Sequence, residues 1–220
     1  MGALPEDIRR GQAVYTPLTL RAYDAFVLGL SNTLVWRCPT AELLALYDRN
    51  VADRHVDIGV GTGYFLDHAR WPTPHPAITL VDLNAASLAA AAARVARYSH
   101  ETIEANALAP LPRMGPFRSA GLCYLLHCLP GRMEDKLVVL DHLAPSLEPG
   151  ACVFGATILG RGVAANAAAR RLMAFYNARG IFSNADDSQE ALEAGLAARL
   201  DAVRITLRGV VAMFEGRARG

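Results

Sequence analysis

The chain predicts an α/β protein built on a doubly wound, mostly parallel sheet with helices on both faces. Three observations carry this. His55–Tyr64, read H-V-D-I-G-V-G-T-G-Y, is an apolar strand-like run that breaks into a glycine loop and continues into a segment of helical composition, Tyr64–Arg70. From there to Leu159, apolar runs alternate with helix-like stretches, the order that winds a right-handed parallel sheet. Near the end, Val203, Ile205 and Leu207 alternate with Arg204, Thr206 and Arg208, and Val210–Glu215 follows across Gly209, which predicts an antiparallel pair at one edge. The length, 220 residues, suits one domain with a substantial core.

Composition removes several classes of function. Hydrophobic residues make up 52% of the chain, an excess that is largely alanine. No apolar run approaches the roughly 18–20 residues that span a bilayer. Met1–Asp7 has neither a basic nor an apolar leader segment, so no signal peptide and a cytoplasmic location are expected. Net charge is +1 and the basic residues are scattered, so nucleic acid is not an expected partner. Cys38, Cys123, Cys128 and Cys152 form no C-x-x-C pair and read as buried reduced thiols. The six histidines lack metal-ligand spacing, and no metal is expected. With no further domain and no basic stripe, a small molecule is the expected partner of a monomer or homodimer.

Residues 1–50 are expected to form a helical cover over a second unit, 51–220, the whole being one folding unit. Leu20–Gly29 has helical spacing, and Thr40–Tyr47 starts a helix after Pro39 with Thr40 as its cap. Ala77–Asp82 reads as a second strand, and Asn84 as the cap of the alanine-rich helix Ala85–Ala96. His100–Pro110 contains a third strand and a loop, and Phe117–Pro130 a central strand buried on both faces. Pro130-Gly131 opens one helix with Met133, Leu137, Leu140 and Ala144 on its apolar face; Glu148–Gly150 is a turn and Ala151–Leu159 a fifth strand. Asn166–Arg179 is a helix closed by Gly180 at C′, and Asp187–Glu190 opens another with a capping-box pattern.

Alternating glycines allow a sharp turn and close backbone approach to a ligand. A dinucleotide fingerprint is G-x-G-x-x-G. Here the third glycine comes one residue early, and Asp57 stands two residues before the first. The stretch D-x-G-x-G-x-G (Asp57, Gly59, Gly61, Gly63) resembles the first motif of the class I S-adenosylmethionine-dependent methyltransferases. A cofactor with a sulfonium and an ammonium but no phosphate suits a carboxylate at the loop entrance. The resemblance implies seven strands with the last reversed, S-adenosylmethionine as cofactor, and N-terminal helices over the donor site. The run L-H-C-L-P at residues 126–130 is similar to a stretch found after the fourth strand in many of these enzymes.

Candidate roles follow. Asp82, 19 residues after Gly63 and beside Leu83, can accept the two ribose hydroxyls; capping is its other reading, but Asn84 already suffices as cap. Asn106 stands where the family commonly has an acid facing the adenine amine, with Ala107 next to it; a turn-forming asparagine is the alternative. Phe117-Arg118 likewise replaces the family's common F-D. Tyr124–His127 fall beside the reactive methyl, at the carboxyl end of a strand, with Leu126 expected against the cofactor. His127 is the candidate base, or else a structural histidine bonded to backbone. Tyr15, Tyr23, Trp36, Met173 and Tyr176 are the candidate walls of the acceptor pocket, with plain packing as the other reading, and they favour a flat or apolar acceptor. Methyl transfer needs mainly alignment, so proximity is the expected source of rate. A nicotinamide-dependent oxidoreductase and a non-catalytic methyltransferase-like binding protein are the competing readings.

Overall fold

A computed structural model describes residues 31–220. The helix expected over Leu20–Gly29, with Tyr15 and Tyr23, lies outside them. The strands are β1 (Arg54–Ile58), β2 (Ala77–Asp82), β3 (Ser99–Glu104), β4 (Phe117–Cys123), β5 (Leu147–Ile158), β6 (Leu200–Arg208) and β7 (Val211–Ala218). They form one sheet in the order β3-β2-β1-β4-β5-β7-β6. β1 to β5 pair in parallel, and β7 runs antiparallel to both β5 and β6. The fold is therefore the expected one, with the antiparallel pair at one edge.

The helices are α1 (Thr40–Asn50), α2 (Tyr64–His68), α3 (Ala85–Arg94), α4 (Met133–Lys136), α5 (Val138–Leu143), α6 (Ala167–Ala178) and α7 (Gln189–Ala197). Side chains of a strand alternate between faces, so a central strand must be apolar throughout. In β5, Val153 and Phe154 are both fully buried, in the two separate cores on either side of the sheet. Leu43, Leu46 and Tyr47 of α1 fill one core with Leu88 and Ala91 of α3; Leu137, Leu140, Leu192 and Leu196 of α4–α7 fill the other.

Several local expectations hold. Asn84 caps α3, its side chain accepting from Ala86 N and Ser87 N. Asn166 caps α6 in the same way. Gly180, at φ +66°, closes α6 in a Schellman arrangement: Ile181 N–H donates to Tyr176 O and Gly180 N–H to Asn177 O.

Others shift. Pro39 occupies the N-cap of α1, and Thr40 is its first helical residue, its Oγ1 accepting from Asn32 Nδ2 at 3.0 Å. The turn expected at Glu148–Gly150 is a bulge inside β5: Phe117 pairs with Leu147 but Ser119 with Cys152, so four residues crowd opposite Arg118. The single helix after Gly131 is two, tightening at Leu137 where Leu140 N–H bonds Leu137 O.

Ser188, not Asp187, caps α7, because Asp187 turns inward. Its Oδ2 meets Lys136 Nζ at 2.6 Å, and Nζ also donates to Ser183 O at 2.6 Å. Both side chains are buried, and burial pushes the ammonium's pKa down and the carboxyl's up, opposed in each case by the partner. The pair fastens α4 to the loop before α7. Removing one charge strands the other. Asp187→Ala should destabilise by about 3–5 kcal/mol, whereas Lys136→Met with Asp187→Leu should be close to neutral. Thermal unfolding of the three proteins checks this, and an Asp187→Ala midpoint equal to that of the parent would refute it.

Candidate active site

The sheet order reverses between β1 and β4, and in open α/β sheets ligands bind outside the carboxyl ends of the strands at such a switch point. A cleft lies there, walled by the β1–α2 loop, the end of β2, the β3–β4 loop and the segment after β4.

The glycine loop shapes it. Gly59, Gly61 and Gly63 all have positive φ, +75°, +52° and +71°. A Cβ on Gly63 would stand 2.9 Å from Ala91 Cα, so this glycine lets α2 press against α3. A Cβ on Gly61 would meet nothing within 4 Å; it would project into open space. Gly63 thus answers to the protein, and Gly61 to whatever enters the cleft.

Asp57 lines the cleft yet is only 3% exposed. Its Oδ2 accepts from Tyr47 Oη at 2.9 Å and sits 3.3 Å from His55 Nε2. His55 Nδ1 lies 2.8 Å from Ser119 Oγ, which accepts from Ala52 N. Burial first, then the neighbouring Asp57, drives the Tyr47 pKa well up, so its hydroxyl keeps its proton and serves as a donor. Gly121 makes the room: a Cβ there would fall 2.5 Å from Asp57 Oδ2. The carboxylate is clamped from α1, β1 and β4 together.

Asp82, at the end of β2, accepts from Asn84 N at 2.8 Å and from Gly61 N at 3.4 Å. Burial pushes its pKa up, and those amides pull it back. It therefore joins the tip of β2 to the glycine loop while facing the cleft. Leu83, Asn106, Ala107 and Leu108 line the opposite wall. Asn106 Oδ1 accepts from Leu108 N at 3.0 Å, so the asparagine also shapes its own turn.

Beyond β4, Tyr124 has φ +61°, a left-handed conformation uncommon outside glycine. Its N–H donates to Ala156 O at 2.7 Å and its hydroxyl to Asn32 Oδ1 at 2.9 Å. That twist breaks the strand's alternation. Leu125 therefore lines the cleft, while Leu126 is fully buried in the core below with Val56 and Leu122. The expectation that Leu126 touches the cofactor is corrected by one residue. Cys128 also lines the cleft, and burial pushes its thiol up to about 12, so it stays protonated.

His127 is 3% exposed and outside the cleft wall, one ring behind Tyr124, with centroids 5.5 Å apart. Its Nδ1 accepts from Ile158 N at 3.3 Å. Burial, and then the Lys136 charge, lowers its pKa to about 3. A base needs a free lone pair and a pKa near the working pH. His127 has neither, so its expected role as base is corrected.

Of the expected acceptor-pocket residues, Trp36 and Met173 are packed into the core, at 2% and 7% exposure. Val210 N–H donates to Trp36 O at 3.0 Å, which holds the connector on the β6–β7 turn. Tyr176 is half-buried, with its ring 4.8 Å from that of Phe182. Phe182 bridges Trp36, Tyr176 and His127. Tyr47 and Phe182 were not singled out from the sequence, and Tyr124 and Leu125 only as part of the stretch placed beside the reactive methyl. Their apolar spacing signals only burial, and Tyr124 betrays itself only by its φ.

The cleft wall carries two carboxylates and, among the described residues, no lysine, arginine or histidine. A pyrophosphate would find no counter-charge there. A ligand with a ribose diol and a positive charge would find two acceptors and an open cradle at Gly61. The residues present fit S-adenosylmethionine: Asp57, Asp82 and Asn106–Leu108 all line the cleft. The fold and site thus define an α/β protein with a glycine-loop cleft at the switch point of its sheet, whose wall carries carboxylates and, among the described residues, no cationic side chain.

Comparison with known proteins agrees. Residues 56–153 match the family model described as a methyltransferase domain. The chain is 42% identical to demethylluteothin O-methyltransferase of Streptomyces thioluteus, covering 96% of this chain and 93% of that protein. It is 40% identical to the physcion biosynthesis cluster O-methyltransferase of Aspergillus chevalieri, with 94% of each covered. Among solved structures, the DhpI–SAH complex shares the fold with a TM-score of 0.69 at 16% identity, covering 98% of this chain and 99% of that one. The chain belongs to the class I S-adenosylmethionine-dependent methyltransferases. It is an enzyme that uses S-adenosylmethionine, and the nicotinamide reading falls away. Among the described residues, no helix is long and apolar enough to cross a membrane.

Two substitutions separate the roles of the loop. Gly61→Ala should keep the fold, at a cost of about 1–2 kcal/mol for its left-handed φ, and lose cofactor affinity. Gly63→Ala should lower the unfolding midpoint further, because its methyl meets helix backbone. Asp82→Ala should weaken S-adenosylmethionine binding by about tenfold or more, the worth of one charge-assisted bond. Calorimetric titration beside thermal unfolding reads all three, and unchanged affinity in Asp82→Ala would refute its assignment.

Proposed function

We propose that this enzyme transfers a methyl group to an oxygen of a small, largely apolar metabolite of secondary metabolism, with an aromatic or otherwise flat skeleton. The observation that carries the reading is the join between the donor cleft and the aromatic cluster. Tyr124 lines the cleft and, through the His127 ring, meets Phe182 and Tyr176. A flat acceptor resting on that cluster would lie close to the donor's reactive end. Trp36 and Met173 support it from behind, in the core. Oxygen as the target is supported by the names of the two relatives at 42% and 40% identity. A more distant relative, at 34%, is an N-methyltransferase of Penicillium aethiopicum.

Bound S-adenosylmethionine supplies an electrophilic methyl on a sulfonium. The chain's part is alignment and desolvation. Holding two reactants in a near-attack geometry can remove roughly 7–11 kcal/mol of the barrier. Asp57, fixed by Tyr47 and His55, and Asp82, fixed by two amides, hold the donor rigidly on one side. The aromatic cluster excludes water on the other.

A screen of hydroxylated aromatic and polyketide-type compounds with mass-spectrometric detection tests this. One or more should gain a single methyl on oxygen, and Tyr176→Ala should raise KM more than it lowers kcat. Turnover confined to amines or to macromolecules would overturn the proposal.

A further inference from the structure

We propose that Tyr47 and His55 are positioning residues for the methyl donor: they occupy one oxygen of Asp57 and leave the other to meet the α-ammonium of S-adenosylmethionine. The proposal concerns the donor alone and holds whichever atom accepts the methyl.

The buried hydrogen bonds around Asp57 have one consistent direction. Tyr47 Oη donates to Asp57 Oδ2 at 2.9 Å, and burial, then the Asp57 charge, keeps the tyrosine protonated. His55 Nε2 lies 3.3 Å from the same oxygen; two lone pairs would repel there, so Nε2 carries a proton. His55 Nδ1 is 2.8 Å from Ser119 Oγ, which accepts from Ala52 N at 2.8 Å. His55 and Ser119 are both fully buried. The serine hydroxyl has no other acceptor among the described residues, so its proton goes to Nδ1. Serine, histidine and aspartate are the parts of a nucleophilic triad, but no substrate reaches a serine buried to this degree. The chain ends instead on the carboxylate.

That end is asymmetric. Both donors reach Oδ2, and Gly121 leaves the space it fills, since a Cβ there would stand 2.5 Å away. Oδ1 accepts from nothing among the described residues. It is not sealed off either: among them, the sole buried side-chain nitrogen or oxygen without a partner is Thr157 Oγ1. Oδ1 therefore keeps a share of the slight exposure of a residue that lines the cleft. Asp82, the other acid of that wall, differs. Its Oδ1 accepts from Asn84 N and its Oδ2 from Gly61 N. Among the carboxylate oxygens of the wall, Asp57 Oδ1 alone has no donor from the described residues.

With no cationic side chain among the described residues of the wall, the donor for that oxygen comes from the ligand. S-adenosylmethionine carries two cationic groups. The sulfonium has no N–H, whereas an ammonium has three and can donate along a lone pair. Oδ1 therefore takes the ammonium. Aromatic neighbours keep the two positioning rings from turning away. Phe154 meets Tyr47 edge-on, with centroids 4.9 Å apart, and lies against His55 at 5.8 Å. Phe65 stacks on Tyr47 at 5.2 Å.

Calorimetric titration of the full chain with S-adenosylhomocysteine, and with its analogue lacking the α-amino group, supplies the test. Wild-type protein should bind the analogue about tenfold or more weakly, the worth of one charge-assisted bond. Tyr47→Phe keeps the ring and loses the hydroxyl. It should weaken S-adenosylhomocysteine about fivefold and leave the analogue within about twofold. Equal binding of the two ligands by wild-type protein would overturn the proposal, as would equal loss of both, or loss of neither, in Tyr47→Phe. A merely structural role for the tyrosine predicts the equal loss. Wild-type protein labelled with ¹⁵N-histidine gives a second reading that needs no variant to fold. Long-range ¹H–¹⁵N spectra should show His55 with a bare Nδ1 and a protonated Nε2. The Nε2 signal should move when S-adenosylhomocysteine binds and stay in place with the analogue. A proton on Nδ1, or the same response to both ligands, would sink the assignment.

Discussion

β4 leaves the hydrogen-bond ladder two residues before β5 does, and the active-site end of the molecule depends on that early exit. Had β4 continued, residues 124 and 125 would alternate between the two cores. Instead Tyr124 takes a left-handed φ, held by its amide on Ala156 and its hydroxyl on Asn32. Such a conformation costs about 1–3 kcal/mol and persists only when its surroundings over-determine it. The consequence is a segment, residues 124–130, that turns across the strand ends: Tyr124, Leu125 and residues 128–130 wall the cleft, while Leu126 and His127 pack behind them. The vacated ladder positions on Ile158 go to His127 and Asn184. Asn184 is paired in turn with Asn177 of α6 by two bonds, so the same vacancy docks the helix nearest the proposed acceptor pocket.

The donor half rests on a different balance. Two carboxylates stand in the cleft wall with no cationic side chain beside them among the described residues, and burial pushes the Asp82 pKa up. The fold offsets this with donors rather than counter-charges: backbone amides for Asp82, and a tyrosine hydroxyl with an imidazole for Asp57. Dipoles of this kind stabilise an anion without cancelling its field. The cleft thus stays attractive to a cation, which suits a sulfonium and an ammonium. A salt-bridging arginine would have answered the desolvation and removed the selectivity.

The charged pair that does exist, Lys136 with Asp187, stands behind His127 rather than in the cleft. Its structural work is to tie α4 to the loop that carries Phe182 and Ser183. Its electrostatic work is to keep one positive charge beside the imidazole. Fold stability and the neutrality of the buried imidazole therefore meet in one contact.

Much of this was legible in the residues alone. The strand, the glycine spacing, the acid after β2 and the cap at Asn84 are local patterns, set by φ, by period and by hydrogen-bond geometry within a few residues. Capping was legible to within one position: Asp187 and Ser188 both qualify as caps, and only a lysine 51 residues away decides between them. Leu125 and Leu126 are chemically alike, and Trp36 and Tyr176 both read as aromatic walls. One left-handed residue turns Leu125 to the cleft and Leu126 to the core, and the packing of the β6–β7 turn buries Trp36 while Tyr176 stays half-buried. His127 is the clearest case. The sequence by itself determined a histidine near the strand end, the sheet around it and the cofactor of the enzyme. Only the tertiary structure decided which of its nitrogens is occupied, because that is settled by a backbone amide on a different strand, left without a strand partner where its neighbour stops.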